Sequence, residues 1–219
     1  MGAVVRSMSY WPKNTSGWHQ PMLFIHIPKT AGISVQKWYR GTYGKYHKCM
    51  HGDINHPIIK TVNETMPSWC VVRNPYTLVY SWYRYKRQML EEKRHRDLDE
   101  IVVWRKGFDY WLQDYFTKFN YSSDKTRPGM TNEISPSKTQ LDYICNNDGK
   151  IVVDHIIQLE NINEQFNTIN DIAGSYEELG HANKTKISVR DYRYAYTPSS
   201  RKIVEKAYKL DLEKFNYDF

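Results

Sequence analysis

Cysteine is scarce in this sequence, no long apolar run occurs, and no residues stand at metal-binding spacing. The 219 residues include three cysteines, Cys49, Cys70 and Cys145. They cannot close a disulfide framework, and none are placed as a metal pair. A disulfide-stapled scaffold and a zinc module are therefore unexpected. Cys70 lies in an apolar run and reads as a small buried hydrophobe, consistent with a reducing environment. No apolar stretch approaches the ~20 residues of a membrane span. The N-terminus also lacks a cationic segment leading into an apolar one. No stable membrane insertion is expected. No internal repeat or domain boundary is visible, so one domain over residues 1–219 is expected.

What the sequence does have is positive charge. Lys and Arg number 31 against 24 Asp and Glu, a net +7. Nucleic acid, a polyanionic glycan and a phosphorylated nucleotide all satisfy that balance. The cations are spread along the chain, without the basic tail of a nucleic-acid arm. The densest run, Arg84 to Arg96, contains Glu91 and Glu92 and reads as a solvated helix face. Aromatic residues make up 15%, and most are expected in packing rather than in stacking on a ligand.

Residues 1–20 read as an irregular arm. Short apolar runs at 22–27 and 69–72 read as buried strands. Helical composition follows at 34–40, 58–65, 76–96 and 98–119, with Pro75 suited to the first turn of the third of these. Residues 120–138 are dense in Ser, Thr, Asn, Pro and Gly and form a long loop. Residues 141–145 and 150–159 read as strands flanking the Asn146–Gly149 turn, and 161–173 and 199–214 as helices. Alternation of strand and helix predicts an α/β fold with a central, mainly parallel sheet flanked by helices.

The first strand runs into His26-Ile27-Pro28-Lys29-Thr30-Ala31-Gly32-Ile33-Ser34. A strand, a tight turn and a helix start together present backbone N–H groups and positive potential to an anion. Gly32 permits close approach, Lys29 brings a mobile cation, and Thr30 and Ser34 bring hydroxyls. The Walker order, with glycines leading into Gly-Lys-Ser/Thr, is missing; here lysine precedes glycine. After the second strand come Arg73, Asn74 and Pro75, then Ser81 two turns into the next helix, so that Arg73 and Ser81 can converge on one phosphate.

The first motif resembles the 5′-phosphosulfate-binding loop of sulfotransferases, in the Golgi carbohydrate group that includes the heparan sulfate 2-O- and 6-O-sulfotransferases. Cys70-Val71-Val72-Arg73-Asn74-Pro75-Tyr76, with Ser81 and Tyr83, resembles the 3′-phosphate motif of that family. The segment Val153–Ile162, which contains Glu160-Asn161, and the end of the chain from Val204 to Phe219 are similar to further family segments. The resemblance implies a P-loop-like three-layer fold. It also implies a donor, 3′-phosphoadenosine 5′-phosphosulfate, held by Pro28, Lys29, Thr30, Ala31, Gly32, Ser34, Arg73 and Ser81. The resemblance further implies a flap formed by His181–Thr185, with Lys184 either a further donor contact or an exposed loop lysine. Leu78 stands where the family usually has arginine; Arg84 or Arg87 would have to replace it.

Sulfuryl transfer asks for in-line attack and stabilisation of charge on the leaving oxygen, for which Lys29 is placed. The nucleotide carries its own phosphates, so no metal is expected. A hydroxyl acceptor, by the resemblance a carbohydrate, profits from a general base. His51 is the first candidate, with His47 and His56 behind it; His26, inside the first strand, reads as a packed histidine. Trp104, Trp111, Tyr115 and the 120–138 loop are candidate acceptor lining, though aromatic residues at helical spacing are more often core. Other readings are a P-loop kinase-like nucleotide enzyme and a non-catalytic polyanion-binding protein. The compartment follows as cytoplasm if the chain is complete, and Golgi lumen if it is a trimmed eukaryotic one.

Overall fold

A computed structural model describes residues 19–44, 49–50, 54–92, 106–113, 138–180 and 192–219. The described residues form an α/β structure around a parallel sheet. The strands are β1 (Leu23–Ile25), β2 (Cys49–Met50), β3 (Ser68–Val72) and β4 (His155–Gln158), in the order β2-β1-β3-β4 with every neighbouring pair parallel. Ile25 sits beside Met50 and Cys70, and Val72 beside Gln158. All four strands therefore end at the same edge of the sheet.

Both faces of the sheet are covered, which is why β1 and β3 read as continuous apolar runs rather than alternating ones. Phe24, Trp69, Val71 and Ile157 lie on one face. They pack on helix α1 (Gly32–Tyr43) through Val35, Trp38 and Tyr39, and on the later helix Ile162–Ala173 through Phe166 and Ile169. Leu23, Ile25, Cys70 and Val72 lie on the other. They meet Ile59 of α2 (Pro57–Asn63), Tyr143 and Ile144 of a short helix at Leu141–Ile144, and Phe215 near the end of the chain. Helix, sheet and helix make three layers.

Helix α3 (Pro75–Glu91) leaves the end of β3. It packs through Leu78, Val79, Trp82 and Tyr83 against Phe108 and Trp111 of α4 (Phe108–Trp111). The chain continues through α5 (Leu141–Ile144), α6 (Ile162–Ala173), α7 (Pro198–Ala207) and α8 (Lys209–Phe215). Pro75, Pro57 and Pro198 each open a helix, where a missing N–H costs nothing. Trp111 is buried in this cluster and is core, not acceptor lining. Trp104, Tyr115, residues 93–105 and nearly all of the 120–138 loop lie outside the described residues.

Three expectations are corrected. Residues 141–145 are not a strand: Leu141–Ile144 is one helical turn. The side chains of Thr139 and Asp142 accept reciprocally from each other's backbone N–H, and Asp211, far along the chain, accepts from Gln140 and Leu141, so side chains satisfy the turn's amides. Residues 150–154 carry only an isolated antiparallel bridge, Cys145 to Ile151, and β4 begins at His155. The expected helix at 199–214 is two, broken at Tyr208 with φ −111° and ψ 22°. The Asn146–Gly149 turn is present, with the Asn146 side chain accepting from the N–H groups of Asp148 and Lys150.

Trp69 is the centre of the first face. It is fully buried, and its ring meets Phe24, Trp38 and Phe166. Its indole N–H donates at 2.8 Å to the Tyr39 hydroxyl, which donates at 3.2 Å to the Met22 carbonyl. Trp69→Ala removes this volume from a site that cannot collapse. A loss of about 3–5 kcal/mol of unfolding free energy is expected in chemical denaturation, with a smaller loss for Trp69→Phe.

Candidate active site

The order β2-β1-β3-β4 sends the chain outward in one direction after β1 and in the other after β3. The crevice beyond the ends of these two strands is thus the switch point of the sheet, where open α/β folds bind ligands. Both motifs meet there. Residues 28–32 follow β1 and Arg73 follows β3, and an N–H of Arg73 Nη1 donates at 3.1 Å to the Lys29 carbonyl.

The loop after β1 is held in an unusual conformation. Lys29 and Ala31 adopt φ +69° and +68°, left-handed values that cost a side-chain-bearing residue about 1–2 kcal/mol each. Thr30 between them is fully buried, and its hydroxyl donates at 2.7 Å to the Ile27 carbonyl. That hydroxyl braces the turn. Pro28 and Ser34 are also buried. Helix α1 then starts without a side-chain cap and without an acid in its first turn, which leaves its positive end facing the crevice.

Gly32 serves a purpose other than positive φ. A Cβ built there would lie 1.7 Å from His26 Nε2, so the imidazole occupies the space a side chain would need. His26 is itself buried and stacked on Phe24, as expected of a packed histidine rather than a base.

Helix α3 supplies the opposite wall. Thr77, Ser81, Arg84 and Tyr85 recur at the spacing of one helix face. Thr77 Oγ1 accepts from Arg73 Nε at 2.8 Å, and the Tyr85 ring lies 4.1 Å from Lys29 Nζ. Ser81 falls between them, half-buried. Leu78, on another face, is buried in the cluster with Trp82 and Trp111. Arg87 pairs with Glu91 at 2.9 Å in solvent. Of the two arginines considered as replacements, Arg84 is the one whose charge reaches the site, acting on both Lys29 and Arg73.

These cations raise one another's cost. Burial, then the Arg73 and Arg84 charges, lower the Lys29 pKa from 10.5 to about 8. Burial lowers that of Arg73 to about 10, with Glu160 opposing and Arg84 reinforcing the shift. Both stay cationic at neutral pH. Glu160, in the 3-10 turn Leu159–Asn161 that follows β4, accepts from the Asn74 N–H at 2.9 Å and from the Tyr217 hydroxyl at 2.8 Å. It fastens the end of the chain beside Arg73. Among the described residues no carboxylate pairs with Lys29. Three cations, an uncapped helix start and a strained turn make a place for a small polyanion.

A family model for the sulfotransferase family matches residues 17–218. The chain belongs to the sulfotransferase family. Comparisons with curated proteins and with solved structures give no match. Sulfuryl transfer is accordingly the general chemistry of this sulfotransferase. Among the described residues, no helix is long and apolar enough to cross a membrane.

The structure brings Pro28, Lys29, Thr30, Ala31, Gly32, Ser34 and Arg73 to one edge of the sheet, with Ser81 on the facing side of α3. His51, His47 and Lys184 lie outside the described residues; Met50, which precedes His51, ends β2 at the same edge as Ile25. His56 is exposed immediately before α2. Thr77 and Tyr85 were missed, although their spacing from Ser81 signals a shared face. Gln140 was missed without a signal, since nothing near residue 140 points to residue 73.

Gly32→Ala must displace the His26 ring, and a loss of about 1–3 kcal/mol in thermal or denaturant unfolding is expected. Adding His26→Ala should recover part of it, because the two changes share one contact.

Proposed function

We propose that the chain transfers a sulfuryl group from 3′-phosphoadenosine 5′-phosphosulfate to a hydroxyl acceptor, a carbohydrate as in the Golgi sulfotransferases it resembles. The observation that carries this is the convergence of Lys29, Arg73 and Arg84 at the switch point of the sheet, with α1 uncapped behind them. We read the three layers as P-loop-like and the whole as one domain.

The residues present fit a nucleotide with two separated anionic groups. Lys29, the backbone of residues 28–32 and Ser34 would hold the 5′ end, and Arg73 with Ser81 the 3′-phosphate; Lys184 is a further donor contact in this reading. In the transfer, the acceptor oxygen forms a bond to sulfur while the bond from sulfur to the 5′-phosphate oxygen breaks. The acceptor proton passes to His51. Lys29 meets the charge that grows on the departing oxygen. The buried Thr30 and its bond to Ile27 hold the loop, left-handed residues included, before substrate arrives, so little reorganisation is left for the reaction itself.

Adenosine 3′,5′-bisphosphate is expected to raise the melting temperature, and ADP with magnesium to leave it unchanged. Stabilisation by ADP and magnesium alone would replace this reading with the kinase-like one. In His51→Ala, transfer should fall about 10²–10⁴-fold with bisphosphate affinity retained, as for loss of a general base; full activity removes His51 from the mechanism.

Because the Lys29 pKa is depressed, its charge opposes folding at neutral pH, and that cost fades as pH rises through about 8 toward 10.5. A bound polyanion does the reverse and favours the proton. Binding of the bisphosphate above pH 8 should therefore take up protons, and affinity should weaken with rising pH. Calorimetry in buffers of different ionisation enthalpy measures both, and Lys29→Met should abolish the uptake.

A further inference from the structure

The guanidinium of Arg73 has its partners in Thr77 and the Lys29 carbonyl, but its main chain is held from elsewhere. Arg73 is the first residue past the ladder of β3, whose last pair is Val72 with Gln158. At that point the primary amide of Gln140 takes the place of a neighbouring strand. Gln140 Oε1 accepts from the Arg73 N–H at 2.7 Å, and Gln140 Nε2 donates to the Arg73 carbonyl at 2.8 Å. A side-chain amide has the donor and acceptor of a peptide group, so it pairs both polar atoms of one residue as a ladder would.

Gln140 is itself fixed. It is completely buried, and its N–H donates at 2.8 Å to Asp211 Oδ2, while Asp211 Oδ1 accepts from Leu141 at 3.1 Å. Asp211, on α8, is also fully buried. A satisfied buried polar network of this kind has one arrangement, because any slip leaves a donor or acceptor unpaired. Its last member is the backbone of the arginine that faces the anion crevice.

We propose that Gln140 is a positioning residue that acts through the main chain of Arg73 to aim its guanidinium at the donor's 3′-phosphate. This rests on the donor-site reading above. Gln140 touches no part of the crevice directly in this scheme. Its removal lets the Arg73 Cα shift, and a forked donor is sensitive to such displacement.

The test compares dissociation constants of adenosine 3′,5′-bisphosphate and adenosine 5′-monophosphate, by calorimetry at pH 7, in the full chain and in variants. Gln140→Met keeps the length and removes both hydrogen bonds. Gln140→Glu keeps the acceptor and removes the donor, and serves if the methionine variant does not fold. The expected result is that the preference for the bisphosphate falls about 10- to 100-fold, the range when a hydrogen-bond partner behind a ligating side chain is lost, with monophosphate affinity falling by much less, through the Arg73 contact to the Lys29 carbonyl. A purely structural role would lower both affinities together, and that result overturns the proposal. Arg73→Ala is measured in parallel. If it abolishes the preference and the Gln140 variants do not, the donor site stands and the role of Gln140 falls. If Arg73→Ala keeps the preference, the donor-site reading fails, and this inference with it.

Discussion

The hydrogen bond from Arg73 to the carbonyl of Lys29 ties together two segments that the chain reaches by separate routes. One leaves β1 and the other leaves β3, and the sheet order makes their ends neighbours. The sheet brings the two ends together, and this contact fixes one loop against the other. With it, the strained turn, the face of α3 and the start of α1 surround one volume. The carbonyl that accepts that bond belongs to one of the two left-handed residues of the turn.

The energetic cost of this arrangement is spread over the core. Two left-handed side-chain-bearing residues and a cluster of cations oppose folding, and they persist because the surroundings over-determine them. Thr30 is buried and bonded to Ile27, His26 fills the space beside Gly32, and the aromatic face around Trp69 anchors β1 to β3. Strain and charge concentrated at one crevice, with a well-satisfied core behind it, is the pattern expected of a functional site.

Much of this was legible in the sequence because it depended on local order. The strands at 22–27 and 69–72, the lysine ahead of the glycine, and the Arg73-Asn74-Pro75 turn are contiguous signals. What failed was nonlocal or too short for a period to declare itself. Residues 141–145 carry apolar residues that suit a strand or a turn of helix, and the deciding partner, Asp211, is far along the chain. Thr139 and Asp142 did carry a capping signature, which a search for alternation passed over. From the sequence Gly32 suits close approach of the backbone to a ligand, whereas the constraint in the structure is the imidazole of a residue six positions earlier. Gln140 was invisible, since a buried amide serving as a strand has no pattern of its own.

The cations of the crevice have a consequence for turnover. On the donor reading, Lys29, Arg73 and Arg84 bind phosphates that are present before and after transfer, so the grip that recruits the charged nucleotide holds the spent one as well. Interactions shared by substrate and product lower the concentration needed for binding without hastening the cycle. On that reading the same charges oppose release of the bisphosphate, and the spent nucleotide competes with fresh donor for one site. A site built around fixed positive charge would thus be sensitive to its own exhausted donor.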